Sequence, residues 1–319
     1  AGGDGDASLG LGIGMGIGAT LDLTHRRLGN QHVAVVAAAL QEFAADSNLR
    51  ELLLVENRLT DKGLAAFLEV LNGITFECLA VLDLSRNEVG KKSSRQLALF
   101  VEHCDCLRRL VLRDTKLGSI EMLSLSASLR RTDWLTDLDL ARNNIRDEGA
   151  LALAKSLVYL TNLSTLNVSW NQIRSNGVVA LADALSGLQS LRTLDLSWNG
   201  FGGSKNAKNS KAVSDAVGGL IASSMSLIHL DLSYNNLVAE QMAQIGQLGK
   251  DNHTLYGMHI DGNEGRINCF GECFPCSDPW PLDDAHLAEV SNRKKGLSSG
   301  AGRGKGRGQV RGEGVGFGL

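Results

Sequence analysis

The amino-acid sequence predicts an α/β solenoid shaped like a horseshoe, with a parallel sheet inside, helices outside and about nine repeats. The first observation is a pattern of apolar residues and one asparagine, L-x-x-L-x-L-x-x-N-x-L, which begins at Leu135 and returns at Leu163 and Leu191, each time after 28 residues. A fixed period of this length is typical of repeat architectures. The second observation is that strand spacing changes to helix spacing within each period, so each repeat contains one strand and one helix.

Nine repeats can be followed along the chain, the first and last degenerate, as terminal capping repeats are expected to be. We expect their strands in one parallel sheet in chain order, starting near Leu21, Leu52, Leu82, Leu110, Leu138, Leu166, Leu194, Leu230 and Met258. The step from Leu191 to Leu227 is 36 residues instead of 28, and the extra residues lie in GGSKNAKNSK, at 202–211. We expect that insertion to be a basic surface loop.

Each repeat predicts which side chains are buried. Leu138 and Leu140 alternate with polar neighbours, as in a strand with one buried face. Leu151, Ala154 and Leu157 follow at helical spacing and form an amphipathic stripe. Stacked asparagines should bond the backbone groups left free where each strand turns outward. We expect N-cap residues at Thr60, Asp147 and Ser175.

The repeat unit at residues 135–157, LTDLDLARNNIRDEGALALAKSL, resembles the leucine-rich repeat of the ribonuclease-inhibitor type. The resemblance extends over about residues 18–265. The same type of repeat forms the repeat regions of NOD-like receptors and of Ran GTPase-activating proteins. It implies an intracellular scaffold, cytoplasmic or nuclear, that binds a protein partner through its concave face and adjoining loops, but it does not identify that partner.

Two narrower functions stay open under this resemblance. A small-GTPase-binding or GTPase-activating protein of the Ran type would order the catalytic groups of its GTPase, so its repeats need no active-site motif. That family usually has an acidic tail, whereas the tail here is basic. The other alternative is the sensor arm of a NOD-like receptor. No nucleotide-binding, nucleophile-elbow or zinc-protease motif occurs in the sequence, so we expect no catalytic residue and no cofactor.

Composition divides the chain into four segments. Residues 1–17 are glycine-rich and should form a flexible lead-in, and residues 18–266 form the repeat domain. Residues 267–292 contain three cysteines and all three prolines, which predicts an irregular cap. Residues 293–319 hold seven Lys/Arg and one Glu, a charge of +6, and should be disordered.

The remaining residues hold 25 basic and 34 acidic side chains, a charge of −9. An acidic body does not suggest a duplex-DNA binder, so any contact with nucleic acid would be a weak one through the basic tail. The six cysteines are unevenly placed, which favours reduced thiols over a disulfide framework. No run of about 18 apolar residues occurs, so no membrane span is predicted.

The first candidate partner-binding surface is a column of aromatic residues. The position before the asparagine holds Trp170, Trp198 and Tyr234 in three successive repeats, with Arg142 in the repeat before them. Tryptophan and tyrosine are enriched in interface hot spots because they bury a large area at low entropic cost. The alternative is that each ring only packs against its neighbour.

Three further sets of residues are candidates. Asp195 and Asp231 lie on the concave face near His259, where they could bind a partner, a metal or a proton, or be only the residues that this type of repeat uses in its LDLS segment. Lys205 and Lys208, with Lys211, could meet an acidic partner. The last set could bind zinc or be small buried thiols; it consists of Cys269, Cys273 and Cys276, with His259 and His286.

Overall fold

The computed structural model describes residues 19–43, 48–204, 206–267 and 273–275. The predicted lead-in and basic tail, Lys205, Cys269, Cys276 and His286 lie outside these residues. In the described part, strands and helices alternate, and the strands form one parallel sheet in chain order, which confirms the predicted α/β solenoid.

The sheet contains nine strands, each paired with the next along the chain. They are β1 (Ala19–Asp22), β2 (Leu49–Leu53), β3 (Val81–Asp83), β4 (Arg109–Val111), β5 (Asp137–Asp139), β6 (Thr165–Asn167), β7 (Thr193–Asp195), β8 (His229–Asp231) and β9 (Gly257–His259). The helices between them are α1 (Gly29–Phe43), α2 (Asp61–Leu71), α3 (Lys91–His103), α4 (Ser119–Leu129), α5 (Arg146–Leu157), α6 (Ser175–Leu185), α7 (Ala207–Ser223) and α8 (Ala239–Gly249). We call each strand together with the residues up to the next strand of the sheet a coil, and number the coils 1–9 after their strands.

A short antiparallel hairpin follows the ninth strand. It consists of β10 (Gly265–Ile267) and β11 (Cys273–Pro275), and it contacts α8. The predicted irregular cap begins in this region. Among the described residues, none of the helices combines the length and the apolar character that a membrane-spanning segment needs.

The core lies between the sheet and the helices. Leu138 pairs in register with Leu110 on one side and Leu166 on the other, and all three are buried. The flanking residues Asp137 and Asp139 are only half-buried and lie on the opposite face of the strand, which is the concave face. This alternation places one layer of leucines inside and one layer of polar residues on the concave face.

The asparagine ladder is confirmed. Asn171 Nδ2 donates to the carbonyl oxygens of Leu140 (2.9 Å), Val168 (3.1 Å) and Ser169 (3.0 Å). Coil 4 has Thr115 instead, and its Oγ1 donates to the carbonyl of Leu112 at 3.0 Å. Comparable bonds recur at Asn57, Asn87, Asn143, Asn199, Asn235 and Asn263.

The predicted N-caps are confirmed only in part. Thr60 occupies the N-cap position of α2, but its side chain makes no cap bond to that helix; its Oγ1 accepts from Nδ2 of Asn30 in coil 1. Asp147 and Ser175 lie within the first turns of α5 and α6. The carboxylate of Asp147 instead accepts from the N–H of Arg174, just before α6, at 2.6 Å. Neighbouring helices start side by side, so a first-turn side chain reaches the free N–H groups of the next helix.

This capping between coils occurs at some helices and not at others. Asp61 of α2 accepts from the N–H of Ser93 in α3 at 2.8 Å. Three helices start on side chains of their own coil, α4 on Glu121, α7 on Asn206 and α8 on Gln241. The helix starts therefore depend on their neighbours to different degrees.

The prediction of a basic loop after Phe201 is wrong for the second half of the insertion, residues 207–211. The added residues lengthen a helix: α7 has 17 residues, whereas α6 and α8 have 11 each. Asn206 caps this helix by accepting from the N–H of Lys208 at 3.0 Å. Lys208 and Lys211 therefore lie in its first two turns, and Lys211 Nζ pairs with Asp215 Oδ2 at 2.6 Å.

Candidate functional site, an aromatic stack on the rim

The residue before each ladder position has the same unusual backbone conformation in all nine coils. Its φ lies between 55° and 59° in eight coils and is 71° at Gly262. Non-glycine residues seldom adopt this left-handed conformation. Here it turns the chain outward at the end of every strand and aligns nine side-chain positions along the rim of the horseshoe. We call these positions the rim column: His25, Glu56, Arg86, Asp114, Arg142, Trp170, Trp198, Tyr234 and Gly262.

The rim column places the three predicted aromatic residues in one continuous stack. The ring centroids of Trp170 and Trp198 are 4.1 Å apart with their planes at 12°, and those of Trp198 and Tyr234 are 3.9 Å apart at 17°. Neighbouring strands lie about 4.8 Å apart, so one ring per coil can stack on the next with only a slight tilt. We call these three residues the aromatic stack.

Both ends of the aromatic stack are covered. The Cζ atom of Arg142 lies 5.0 Å from the ring centroid of Trp170, a cation–π distance. A Cβ atom at Gly262 would lie 2.4 Å from Cδ1 of Tyr234, so only glycine lets the backbone pass this ring. The rings are nonetheless 40%, 41% and 44% exposed, which confirms the expected exposure. Because their faces are occupied, the exposed surface consists mainly of ring edges.

The concave residues beside the stack carry out a structural task. Asp139, Asp195 and Asp231 each accept, through Oδ1, the backbone N–H of the residue two positions later, at 2.8–2.9 Å. These bonds close the turn after each strand, a role that was not predicted from the sequence for these residues. His259 lies near the ring of His229, with 4.8 Å between centroids. Among the residues that the structure describes, no group of three or more His, Cys, Asp or Glu could hold a metal ion.

The carboxylates on this face repel one another. Burial raises the pKa of Asp139, and the neighbouring carboxylates of Asp83 and Asp195 raise it further. The N–H of Ala141 and the guanidinium of Arg113 act in the opposite direction. Like charges are therefore close enough on this face to perturb one another's ionisation.

The other predicted site residues are not all brought together. Lys208 lies on α7, and the side chain of Cys273 in β11 belongs to the part that is not described. A different thiol pair does form: Cys104 Sγ and Cys106 Sγ lie 3.6 Å apart, and burial raises the pKa of Cys104. The C-x-C spacing was visible in the sequence, but the closeness of the sulfur atoms depends on the turn after α3.

Comparisons with known proteins agree with the repeat pattern. A leucine-rich-repeat family model matches residues 45–68, 134–154, 159–182 and 187–204. Among solved structures, an internalin (inlF) of Listeria monocytogenes is 22% identical, with a TM-score of 0.42; the match covers 71% of this chain and 64% of that one, so this chain spans just under two thirds of the internalin. The leucine-rich-repeat-containing protein LegL7 of Legionella pneumophila is 18% identical, with a TM-score of 0.40, covering 89% of this chain and 92% of that one. No curated protein sequence matches the chain.

Proposed function

We propose that this chain of leucine-rich repeats is a protein-binding scaffold whose contact surface is the aromatic stack together with the adjoining concave face of coils 5–8. The observation that carries the proposal is the aromatic stack itself. Three large rings in successive coils keep more than a third of their surface exposed. Isolated surface aromatics are common, but three aligned rings form a continuous surface of the kind that anchors interfaces.

The stack is organised before any partner arrives. Each ring is held between its neighbours, so little side-chain freedom remains to be lost on binding. The exposed ring edges carry the indole N–H groups of Trp170 and Trp198 and the hydroxyl of Tyr234, which can donate hydrogen bonds to a partner. Arg142, Asp195 and Asp231 form its polar surroundings, and Lys205 and Lys208 of the lengthened coil 7 contribute mainly to the rate of association.

The proposal places the scaffold inside the cell, in the cytoplasm or nucleus. The uneven placement of the six cysteines, which favours reduced thiols over a disulfide framework, supports this location.

The test is to replace the central ring. Trp198→Ala should lower the affinity for proteins retained from a native lysate about thirtyfold, chiefly through faster dissociation, since truncating a hot-spot aromatic costs about 2 kcal/mol or more. Tyr159→Ala is the matched control. Tyr159 is 50% exposed, close to the 41% of Trp198, and it lies beside an arginine, Arg130, but it follows helix α5 and is not part of the rim column. Equal retention by wild type and Trp198→Ala would contradict the proposal.

A further inference from the structure

The concave face has a different charge in its two halves. The two floor positions of each coil are the strand residues on either side of the buried central leucine. In coils 5–8 these eight positions hold four carboxylates and neither lysine nor arginine. In coils 1–4 the eight corresponding positions hold three carboxylates and one arginine, Arg109. We call the four carboxylates of coils 5–8, Asp137, Asp139, Asp195 and Asp231, the acidic floor.

The acidic floor is only partly neutralised. The hydrogen bonds to Asp139, Asp195 and Asp231 use Oδ1, and their donors are uncharged backbone N–H groups and a serine hydroxyl. Arg113, at the end of β4, is the cation whose charge acts on Asp139, and it does not outweigh burial and the neighbouring acids. A cationic group placed along this row would lower the mutual repulsion of the carboxylates.

The sequence contains a segment of opposite charge. Residues 293–319 carry +6, and the rest of the chain carries −9. Within this segment, Arg303, Lys305 and Arg307 alternate with glycine. In an extended backbone such alternate residues point the same way, about 6.6 Å apart. Asp195 and Asp231 lie in adjacent coils, about 4.8 Å apart, and Asp139 lies two coil spacings, about 9.6 Å, from Asp195, so the basic side chains and the acids are spaced on a similar scale. The intervening glycines have no side chain to keep the backbone away from the floor.

The segment is long enough to reach the floor from the last described strand. From Pro275 in β11 to Arg303 there are 28 residues, which span at most about 90–100 Å when extended. The acidic floor extends over three coil spacings, about 14 Å. Attachment to the same chain raises the local concentration of the basic segment towards the millimolar range. An intramolecular contact is therefore favoured over the same contact between two molecules at micromolar protein.

We propose that the basic segment 303–311 docks in cis on the acidic floor of coils 5–8, beside the aromatic stack. This contact would regulate the surface in the proposed function, because a partner has to displace the segment before it reaches the stack. The docking itself requires no partner, and its test is independent of one.

Zero-length cross-linking of the full chain tests the contact. A carbodiimide activates a carboxylate, the amine of Lys305 attacks it, and an amide forms as the urea leaves. We expect Lys305 to couple to Asp139, Asp195 or Asp231 within the monomer, with a yield that does not change on tenfold dilution. The yield should fall several-fold at about 0.5 M salt, where charges are screened within a few ångströms.

Paired variants decide whether the floor is the acceptor. Asp195→Asn with Asp231→Asn keeps the Oδ1 acceptors of the turns and should reduce coupling of Lys305 to Asp139 several-fold. Asp183→Asn with Glu240→Gln removes two exposed acids from α6 and α8 and should leave it unchanged. Equal losses in the two variants, or coupling spread over acids of the helices, would overturn the proposal.

Two other results are separable. Coupling found only in covalent dimers, with a yield that falls on dilution, would assign the segment to a second copy and overturn docking in cis. If Lys305 couples to the floor as expected but Trp198→Ala keeps its partners, the proposed function fails and the docking stands. If Trp198→Ala loses its partners but Lys305 does not couple to the floor, the proposed function stands and the docking fails.

Discussion

The rim column is built from charges in coils 1–4 and from rings in coils 6–8, on the same backbone conformation. Glu56 Oε2 lies 3.4 Å from Nδ1 of His25 and 2.6 Å from NH1 of Arg86, and all three side chains are about half exposed. Arg142 in coil 5 ends the charged series and covers the first ring, Trp170. The rim column therefore connects neighbouring coils by ion pairs in its N-terminal part and by stacked rings in its C-terminal part.

The ion pairs and the stacked rings differ in how much they stabilise the fold and in how they respond to salt. Exposed ion pairs contribute little and weaken in salt, because water and ions screen them. Stacked aromatic pairs contribute about 0.5–1.5 kcal/mol each beyond the area they bury, and they do not depend on salt. A shallow, open depression of about 520 Å³ is lined by Glu56, Arg86 and Lys116, so the charged side chains leave space between the N-terminal coils. The C-terminal rim is instead lined by three stacked rings.

The largest expected contrast between the halves is in the ladder. Asn171→Ala removes three Nδ2 bonds to carbonyls of the ladder and leaves the buried N–H of Ile145 without its side-chain acceptor, and it should lower the free energy of unfolding by about 3 kcal/mol. Thr115→Ala removes one short side chain with fewer bonds and should cost about 1 kcal/mol. Urea titrations of both variants measure the difference. Equal losses would mean that Thr115 replaces asparagine fully.

The next contrast compares a ring with an ion pair. Trp198→Ala removes two stacking contacts and should lower the free energy of unfolding by about 2 kcal/mol, equally at low and high salt. Arg86→Ala should lower Tm less, and the loss should disappear at about 1 M salt because the pair with Glu56 is exposed. Thermal unfolding at the two salt concentrations checks this. A loss at Trp198 that shrinks with salt would contradict the comparison.

A smaller effect on Tm is expected when aspartates of the concave face are replaced by asparagine, and its sign should differ between coil 5 and coil 1. Burial raises the pKa of Asp139, whereas hydrogen bonds from Thr24 lower that of Asp22, the same position in coil 1. Asp139 therefore destabilises the fold at neutral pH, and its contribution becomes less unfavourable as pH falls through its raised pKa towards 3.8. Asp139→Asn should therefore raise Tm at pH 7. The corresponding gain in the free energy of unfolding should be about 0.5 kcal/mol or less. Asp22→Asn should leave Tm unchanged or lower it. A lower Tm for Asp139→Asn would show that its charge is stabilising.

The smallest expected effect is on the decrease of Tm at acidic pH. The hydrogen bond from Arg86 lowers the pKa of Glu56 below its ordinary value of 4.5. A carboxyl with a lowered pKa stabilises the fold above pH 4.5, and this contribution is lost as pH falls through the folded-state pKa. Glu56→Gln should therefore flatten Tm slightly between about pH 5 and pH 3. If the Tm of wild type and the Tm of Glu56→Gln change in parallel between about pH 5 and pH 3, the ion pair does not contribute to stability.

The period of the sequence was enough to predict which residues are equivalent and which are neighbours. Once Leu138 was aligned with Leu110 and Leu166, the parallel sheet, the buried faces and the ladder followed from strand spacing alone. The column containing Trp198 and Tyr234 was predicted in the same way, because equivalent residues of stacked coils have to lie side by side. Whether this column binds a partner stays a prediction.

Features that depend on contacts between coils could not be predicted from the period. The carboxylate of Asp147 could cap its own helix or the next one, and only the relative height of the two helices decides this. The inserted residues could extend a loop or a helix, and Asn206 decides in favour of the helix. The rings could lie edge to face or stacked; the left-handed backbone at each position selects stacking.

The uneven capping of the helices bears on how the solenoid would come apart under mechanical force. The starts of α2, α3 and α6 are bonded to side chains of the coil before them, whereas α4 and α7 start on side chains of their own. Repeat proteins gain stability from each coil and from its neighbours, so a weaker tie between two coils marks a seam. Pulled from its N-terminal end, the molecule should release coils 1–3 as one unit and pause at coil 4. Coils 6 and 7 should be released together although α7 caps itself, because the stacked rings of Trp170 and Trp198 and the bond from Ser175 Oγ to the carbonyl of Phe201 tie them.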